Sequence, residues 1–321
     1  VSDEPRTGRV VVLVLPEVNL LDLSGPVQVF DAAAHLGADY RVEYAADAPQ
    51  QRSAQGLLLA GLTSLPQVYP GDLVLVPGPR LSPTAGAGGA PLVAPAVTSW
   101  LGGAHRAGAR IAAVCTGAAA LGEAGLLDGR RCTTHWGLTE HLRRRYPAAR
   151  VRDGVLYVHD GPVSTSAGIS AGIDLALSLV ERDHGPALTA AVARELVVYL
   201  RRDGDQQQLS PFLAHRGHLH PAVHRVQEHL AQHLDAPHTL DDLAALACLS
   251  KRGLTRAFTT AVGLTPLEYQ QGLRLELASS LLAQTGLTVE AIAARCGFRD
   301  PRHFRRLFSA RFGRTPSAAR A

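Results

Sequence analysis

Continuous apolar runs of strand length recur through the first two hundred positions: RVVVLVL (Arg9–Leu15), LVLVP (Leu73–Pro77) and ARIAAVC (Ala109–Cys115). These runs lack polar alternation, so each predicts a strand buried on both faces. Between them, GPVQVFDAAAHLG (Gly25–Gly37) and VTSWLGGAHRAG (Val97–Gly108) carry helical periodicity. Buried strands alternating with helices predict a mainly parallel sheet covered on both sides, in a domain over residues 1–200. SPTAGAGGAPLVAP (Ser82–Pro95) is expected to be a small-residue loop or flap.

Periodicity fades in RRDGDQQQLSPFLAHRGHLHP (Arg201–Pro221), which reads as a linker. Residues 222–321 then turn helical and contain a repeat. TLDDLAALACLSKRGLTRAFTTAVGLTP (Thr239–Pro266) matches TVEAIAARCGFRDPRHFRRLFSARFGRTP (Thr288–Pro316), with one residue inserted in the turn. Each copy predicts a short amphipathic helix, a tight turn and a second helix. Ser250 and Asp300 suit the N-caps, and Gly263 and Gly313 suit the left-handed position after the second helix.

On a helical wheel, Leu254, Ala257, Phe258 and Ala261 share one face, as do Phe304, Leu307 and Phe308. The opposite face carries Arg252, Thr255, Arg256 and Thr259 in one copy and Arg302, Arg305, Arg306 and Ser309 in the other. A single Arg-rich face is usually just solvated. Here the same polar positions recur in a helix-turn-helix frame, which points to major-groove reading, with arginine on guanine edges or phosphates. Arg311 falls near the apolar side, where a contact with the helix dipole is expected. TPLEYQQGLRLELASSLL (Thr265–Leu282) opens with a capping box and repeats leucine at 273, 277 and 281. It predicts a long helix holding the two modules against successive grooves.

Charge agrees with this assignment. The chain is +4 overall, and from His218 onward it holds 13 Arg and Lys against 8 Asp and Glu, so the positive excess lies in the last third and suits a polyanion. The pattern S-x-x-x-L-x-R-x-F…G-x-T-P…R-L-x-x-A…I-A…C-G-F…F…R-x-F-G…P resembles the DNA-binding domain of AraC/XylS-family regulators over about the last hundred residues. The resemblance implies an all-α domain with two helix-turn-helix motifs bound to promoter DNA.

ARIAAVCTGAAALGEAGLLDGRRCTTHW (Ala109–Trp136) runs a strand straight into Cys115, then Thr116, Gly117 and an Ala-rich helix. That elbow places a thiol at a helix N-terminus, where the dipole favours thiolate. Asp22, in LPEVNLLDLSGPVQVF (Leu15–Phe30), is expected just past the first strand, at the carboxyl edge where such sheets bind ligands. Both segments resemble the PfpI/ThiJ superfamily, with the class I glutamine amidotransferase-like, flavodoxin-like α/β sandwich. LDLxGP, the Cys-Thr-Gly elbow and TTHW are similar to isocyanide hydratases in particular. With the tail, the chain resembles GlxA-type or AdpA-like regulators.

Carried over, the hydratase pattern implies Cys115 as nucleophile, Asp22 as its carboxylate partner and Thr116 as an orienting hydroxyl. Two departures count against turnover. Thr116 stands where superfamily proteases have His, and Pro79 in PGPR has no N–H for an oxyanion. Cys115 is therefore open to three readings: a ligand-contacting or redox-sensitive sensor residue, an inherited structural feature, or a nucleophile. His135 either lines the pocket or is a hydrogen-bonded structural histidine, and Cys132, Cys248 and Cys296 read as packed core residues.

The four cysteines are far apart, which fits a reducing cytosol without disulfides. The chain holds no Met, so Val1 is expected to be a processed end or an alternative start. His229 and His233 are one helical turn apart, but no third ligand is evident, and neither a metal nor a cofactor is expected. The resulting expectation is a cytoplasmic transcription regulator, not an enzyme and not membrane-bound. It would dimerise through its first domain, bind a small-molecule effector near Asp22, Cys115, Thr116 and His135, and work with RNA polymerase. The rival expectation is a cysteine-dependent hydratase or hydrolase with a DNA-localising tail.

Overall fold

A computed structural model describes residues 8–80, 92–198, 202–204, 208, 215 and 217–319. The flap over 82–91 and most of the interior of the 201–216 stretch lie outside the described residues. Contacts divide the chain into two units, Val1–Gln208 and Leu209–Ala321.

The first unit runs β1 (Arg9–Leu13), α1 (Leu20–His35), β2 (Arg41–Ala45), β3 (Gln50–Arg52), β4 (Leu58–Ala60), β5 (Leu73–Val76), α2 (Pro95–Arg106) and β6 (Arg110–Val114). It continues through α3 (Gly117–Glu123), β7 (Arg131–Cys132), α4 (Thr139–Arg145), β8 (Arg150–Val151), β9 (Tyr157–Asp160), β10 (Val163–Ser166), α5 (Ala171–His184) and α6 (Pro186–Glu195). The main sheet has the order β2-β1-β5-β6-β10-β9 and is parallel except at β9, which pairs antiparallel with β10.

Side chains alternate between two cores, as a sheet covered on both faces requires. Val10, Val12, Leu73, Leu75, Ala112 and Val114 pack with α1 and α5. Leu13, Val74, Val76, Ile111 and Ala113 pack on the other side with α2 and α3. The three apolar runs are thus β1, β5 and β6. The first helix, however, begins at Leu20 rather than Gly25, because Pro26 is tolerated inside it. Asp22 therefore sits in the first turn of α1 and not in a loop.

The second unit comprises α7 (Pro221–Gln232), α8 (Leu240–Ala247), α9 (Lys251–Val262), α10 (Pro266–Gln284), α11 (Val289–Arg295) and α12 (Pro301–Phe312). Leu243, Leu254, Phe258, Tyr269 and Leu273 centre one core, and Leu275, Ala278, Leu282, Ile292, Phe304 and Phe308 centre another. The long helix α10 serves both, so its buried positions are not one stripe. Leu273 is buried in the first core and Leu275 in the second, while Leu277 and Leu281 are only half-buried.

One cysteine departs from expectation. Cys296 is buried at the end of α11, but Cys248 is exposed and adopts φ 55°. Its structural counterpart is Gly297 (φ 78°), and the counterpart of Cys296 is Ala247. Up to Leu249 and Phe298 the repeats stay in step at an offset of 49, whereas the two cysteines are 48 apart and so occupy different positions; the inserted Arg299 shifts the offset to 50 only after them. Among the described residues no helix is long and apolar enough to cross a membrane.

Candidate functional site

In each repeat the second helix is set by its ends. Ser250 Oγ accepts the Gly253 N–H at 3.1 Å, and Asp300 Oδ1 accepts the Arg302 N–H at 2.8 Å. Gly263 and Gly313 close α9 and α12 in the left-handed conformation. Leu254, Phe258 and Val262 anchor α9, and Phe304 and Phe308 anchor α12. Each buried aromatic contributes about 1.5–3 kcal/mol relative to exposure, enough to fix which face turns outward.

The outward faces hold the polar positions named from the sequence. Arg252, Arg256, Thr259, Arg302, Arg305 and Arg306 are exposed, and Thr255 and Ser309 are half-buried. They differ in what already holds them. Arg305 is ion-paired with Glu290 of α11, and Arg306 Nη2 lies 3.1 Å from His303 Nδ1. The Thr255 hydroxyl donates to Lys251 O at 2.9 Å. Among the described residues, no side-chain partner is seen for Arg252, Arg256 or Arg302. Arg311 lies in the last turn of α12, as a dipole contact requires, and is also ion-paired. Its guanidinium reaches Glu276 of α10 at 2.7 Å, tying α12 to the connecting helix.

Arg274, at the middle of α10, is the arginine of the R-L-x-x-A element in the family pattern, but its sequence position gave it no role. Its Nε donates to Leu234 O at 2.6 Å, Nη2 to Ala236 O at 2.8 Å and Nη1 to Gly297 O at 2.9 Å. One planar cation thus ties the loop before the first helix-turn-helix to the turn of the second. Burial pushes its pKa down from the usual arginine value, but the group stays charged.

The structure brings Asp22, Cys115 and Thr116 together at the β6–α3 elbow. Cys115 adopts φ 58° and is 6% exposed. Its N–H donates to Ser166 O at 3.0 Å, and its carbonyl accepts the Thr134 hydroxyl at 2.8 Å. Thr116 Oγ1 donates to Pro79 O. The elbow closes only against glycine: a Cβ at Gly168 would lie 2.3 Å from Cys115 Cβ, and one at Gly78 would lie 2.4 Å from Thr116 Oγ1. Asp22 Oδ1 accepts the Ile169 N–H at 2.5 Å, and the carboxylate neighbours the Cys115 thiol.

Electrostatics here oppose the thiolate expected from the helix N-terminus. Burial, then the Asp22 charge, push the Cys115 pKa far above the ordinary thiol value. Burial also pushes Asp22 up to about 6, against the lowering effect of the Ile169 N–H. α3 has only seven residues, and its dipole is outweighed by desolvation. At neutral pH the thiol is a neutral donor beside a carboxylate, which makes it a poor nucleophile.

His135 is half-buried, and its Nδ1 accepts the Gly137 N–H at 3.2 Å. That bond gives it a local capping role, next to the Thr134 that holds the elbow. Cys132 is fully buried, its pKa pushed up to about 11 by burial. His229 lies against His233 and His238, with ring centroids 4.5 and 4.9 Å away. Among the described residues no group of three His, Cys, Asp or Glu is placed to hold a metal ion.

Residues 8–182 match the DJ-1/PfpI family, and residues 243–321 match a helix-turn-helix domain family. The HTH-type transcriptional regulator CdhR of Pseudomonas aeruginosa is 33% identical over 313 residues, covering 96% of this chain and 90% of that protein. The chain belongs to the DJ-1/PfpI family, joined to an AraC-type helix-turn-helix domain. This regulator is also 30% identical to the HTH-type transcriptional regulator GlxA of Rhizobium meliloti, over 67% of its own length and 66% of that protein's. Isonitrile hydratase of Pseudomonas putida is 39% identical, but over only 53% of the chain and 69% of the hydratase. Among solved structures, an AraC family transcriptional regulator from Pseudomonas putida superposes with a TM-score of 0.53 at 24% identity. It covers 59% of this chain and 99% of its own, a likeness of fold alone. The regulator is a DNA-binding transcription factor, with the domain pairing and near full-length similarity of an HTH-type transcriptional regulator.

Proposed function

We propose that the regulator reads one promoter duplex with both recognition helices, α9 and α12. The carrying observation is the match of outward side chains at a constant offset: Arg252 with Arg302, Thr255 with Arg305, Arg256 with Arg306, and Thr259 with Ser309. Arg252, Arg256 and Arg302, free of ion pairs among the described residues, are assigned to base edges. Arg305 reaches DNA by giving up Glu290. The direct test is binding of the full chain to operator DNA recovered from genomic fragments. Arg256→Ala and Arg302→Ala should each weaken specific binding by about 1–3 kcal/mol.

The elbow at Asp22, Cys115 and Thr116, with His135 beside it, is assigned to a small-molecule effector, and the first unit to homodimerisation. The regulator then works in the cytoplasm with RNA polymerase. The protonated, enclosed thiol supports a sensing role over turnover, because it offers a hydrogen-bond donor but little nucleophile. A thermal-shift screen of small nitrogen-containing metabolites tests this assignment. A hit on the natural chain that Cys115→Ala or Asp22→Asn abolishes supports it, and a hit insensitive to both places the effector elsewhere.

A further inference from the structure

Three residues that follow α6 dock on the segments supporting the elbow. Arg202 donates from Nε and Nη2 to Asp174 Oδ2 at 3.0 and 2.6 Å, and from its backbone N–H to Asp174 Oδ1 at 3.1 Å. Its Nη2 also reaches Ser170 Oγ at 2.9 Å. Ser170 directly follows Ile169, the donor to Asp22. Gly204 O accepts the Leu156 N–H at 2.8 Å, and Leu156 O accepts the N–H of Ala167, the neighbour of Gly168. Gln208 donates its N–H to Gly154 O at 2.7 Å and its Nε2 to Thr134 O at 2.9 Å and Val155 O at 3.0 Å. Thr134 is the residue whose hydroxyl holds the Cys115 carbonyl.

One contact of each residue therefore leads to a group that shapes the elbow: Ser170 is next to Ile169, the donor to Asp22; Leu156 bonds Ala167, the neighbour of Gly168 against the thiol; and Thr134 holds the Cys115 carbonyl. Beyond Gln208 the chain passes to the second unit. We propose that Arg202, Gly204 and Gln208 form a regulatory strap whose docking at Thr134 couples the state of the Cys115 elbow to the chain leading into the DNA-binding unit. This inference rests on the assignment of the elbow as the effector site.

The two ends of the strap are unequal. Arg202 holds the buried Asp174 carboxylate with an ion pair and three hydrogen bonds, so that end is firmly docked. Gln208 donates well, but its buried Oε1 has no hydrogen-bond donor among the described residues. An unsatisfied acceptor weakens the docked state, so release starts at Gln208, the end next to Thr134. Coupling between docking and elbow is reciprocal by linkage: a change at either must alter the other by the same factor.

The test uses the full chain and needs no effector. Cys115 alkylation by iodoacetamide is followed by peptide mass spectrometry, and strap docking by hydrogen exchange of peptides covering 202–208. Gln208→Ala should speed both strap exchange and Cys115 alkylation about fivefold or more. Thr134→Val should speed strap exchange, and Thr134→Ser, which keeps the hydroxyl, should restore it. The proposal is overturned if Gln208→Ala leaves Cys115 alkylation unchanged, whether or not strap exchange rises. It is also overturned if a folded Thr134→Val leaves the strap as protected as before. Should Thr134→Val fail to fold, the Gln208→Ala result decides alone. A chain that no metabolite shifts, yet which shows both reciprocal effects, keeps the strap and loses only the effector assignment.

Discussion

Arg274 Nη1 donates to Gly297 O across 2.9 Å, joining the middle of the connecting helix to the turn of the second helix-turn-helix. The same guanidinium holds the Leu234 and Ala236 carbonyls in the loop leading into the first module, so one cross-brace joins that loop to the second module. Arg274→Ala leaves three carbonyls without their cationic donor and should destabilise the second unit by about 2–3 kcal/mol. Arg274→Lys, a point charge without the planar fork, should recover only part of this loss. Chemical denaturation of the full chain checks both, and the brace is refuted if Lys equals Arg.

The Arg305–Glu290 pair gives a second prediction. Glu290→Ala removes a carboxylate beside the proposed DNA face and frees Arg305. Non-specific DNA affinity should rise, and the slope of log affinity against log salt should steepen by about one counterion. Salt titrations with random-sequence DNA measure it. An unchanged slope would mean that Arg305 stays away from the phosphates.

Asp22 sets a pH dependence whose sign is opposite to that of a salt-bridged carboxylate. Its folded pKa of about 6 lies above the ordinary 3.8, so the folded state binds the proton more tightly than the unfolded chain does. This group's contribution is whole below pH 4 and is lost as pH rises through 6. The loss at neutral pH is on the order of 3 kcal/mol. Asp22→Asn keeps an acceptor for the Ile169 N–H without the charge. It should unfold at higher temperature than the natural chain at pH 8, with the difference closing towards pH 4. Parallel pH profiles for the two proteins would rule this out.

Gly168 makes the enclosure of Cys115 testable. It has φ 103°, and a Cβ there would sit 2.3 Å from Cys115 Cβ and 2.5 Å from Sγ. Gly168→Ala must therefore open the elbow. It should lower stability by about 2 kcal/mol or more and speed Cys115 alkylation. An equally stable variant with an equally slow thiol would show that the elbow is not tightly closed.

Much of this was legible in the chain because it is local. The strand runs, the caps at Ser250 and Asp300, the glycines at 263 and 313 and the buried phenylalanines all follow from residues a few positions apart. What escaped depends on distant partners. Arg274 looks like any helical arginine until the fold brings carbonyls from residues 234, 236 and 297 around it. The Cys115 thiol was misjudged because burial and Asp22, far away in sequence, outweigh a short helix. Cys248 was misjudged because the backbone, not the side chain, sets the need for a left-handed residue there. Gln208 lay in a stretch with no periodicity at all, and only its contacts show that it docks.

The most direct measurement of the central claim is hydroxyl-radical footprinting of the full chain on its own operator, repeated with Arg256→Ala and Arg302→Ala. Two helices on one duplex predict two protected segments about one helical turn, roughly 34 Å, apart. Arg256→Ala should weaken one segment and Arg302→Ala the other. A single protected segment that both substitutions affect alike would contradict the account.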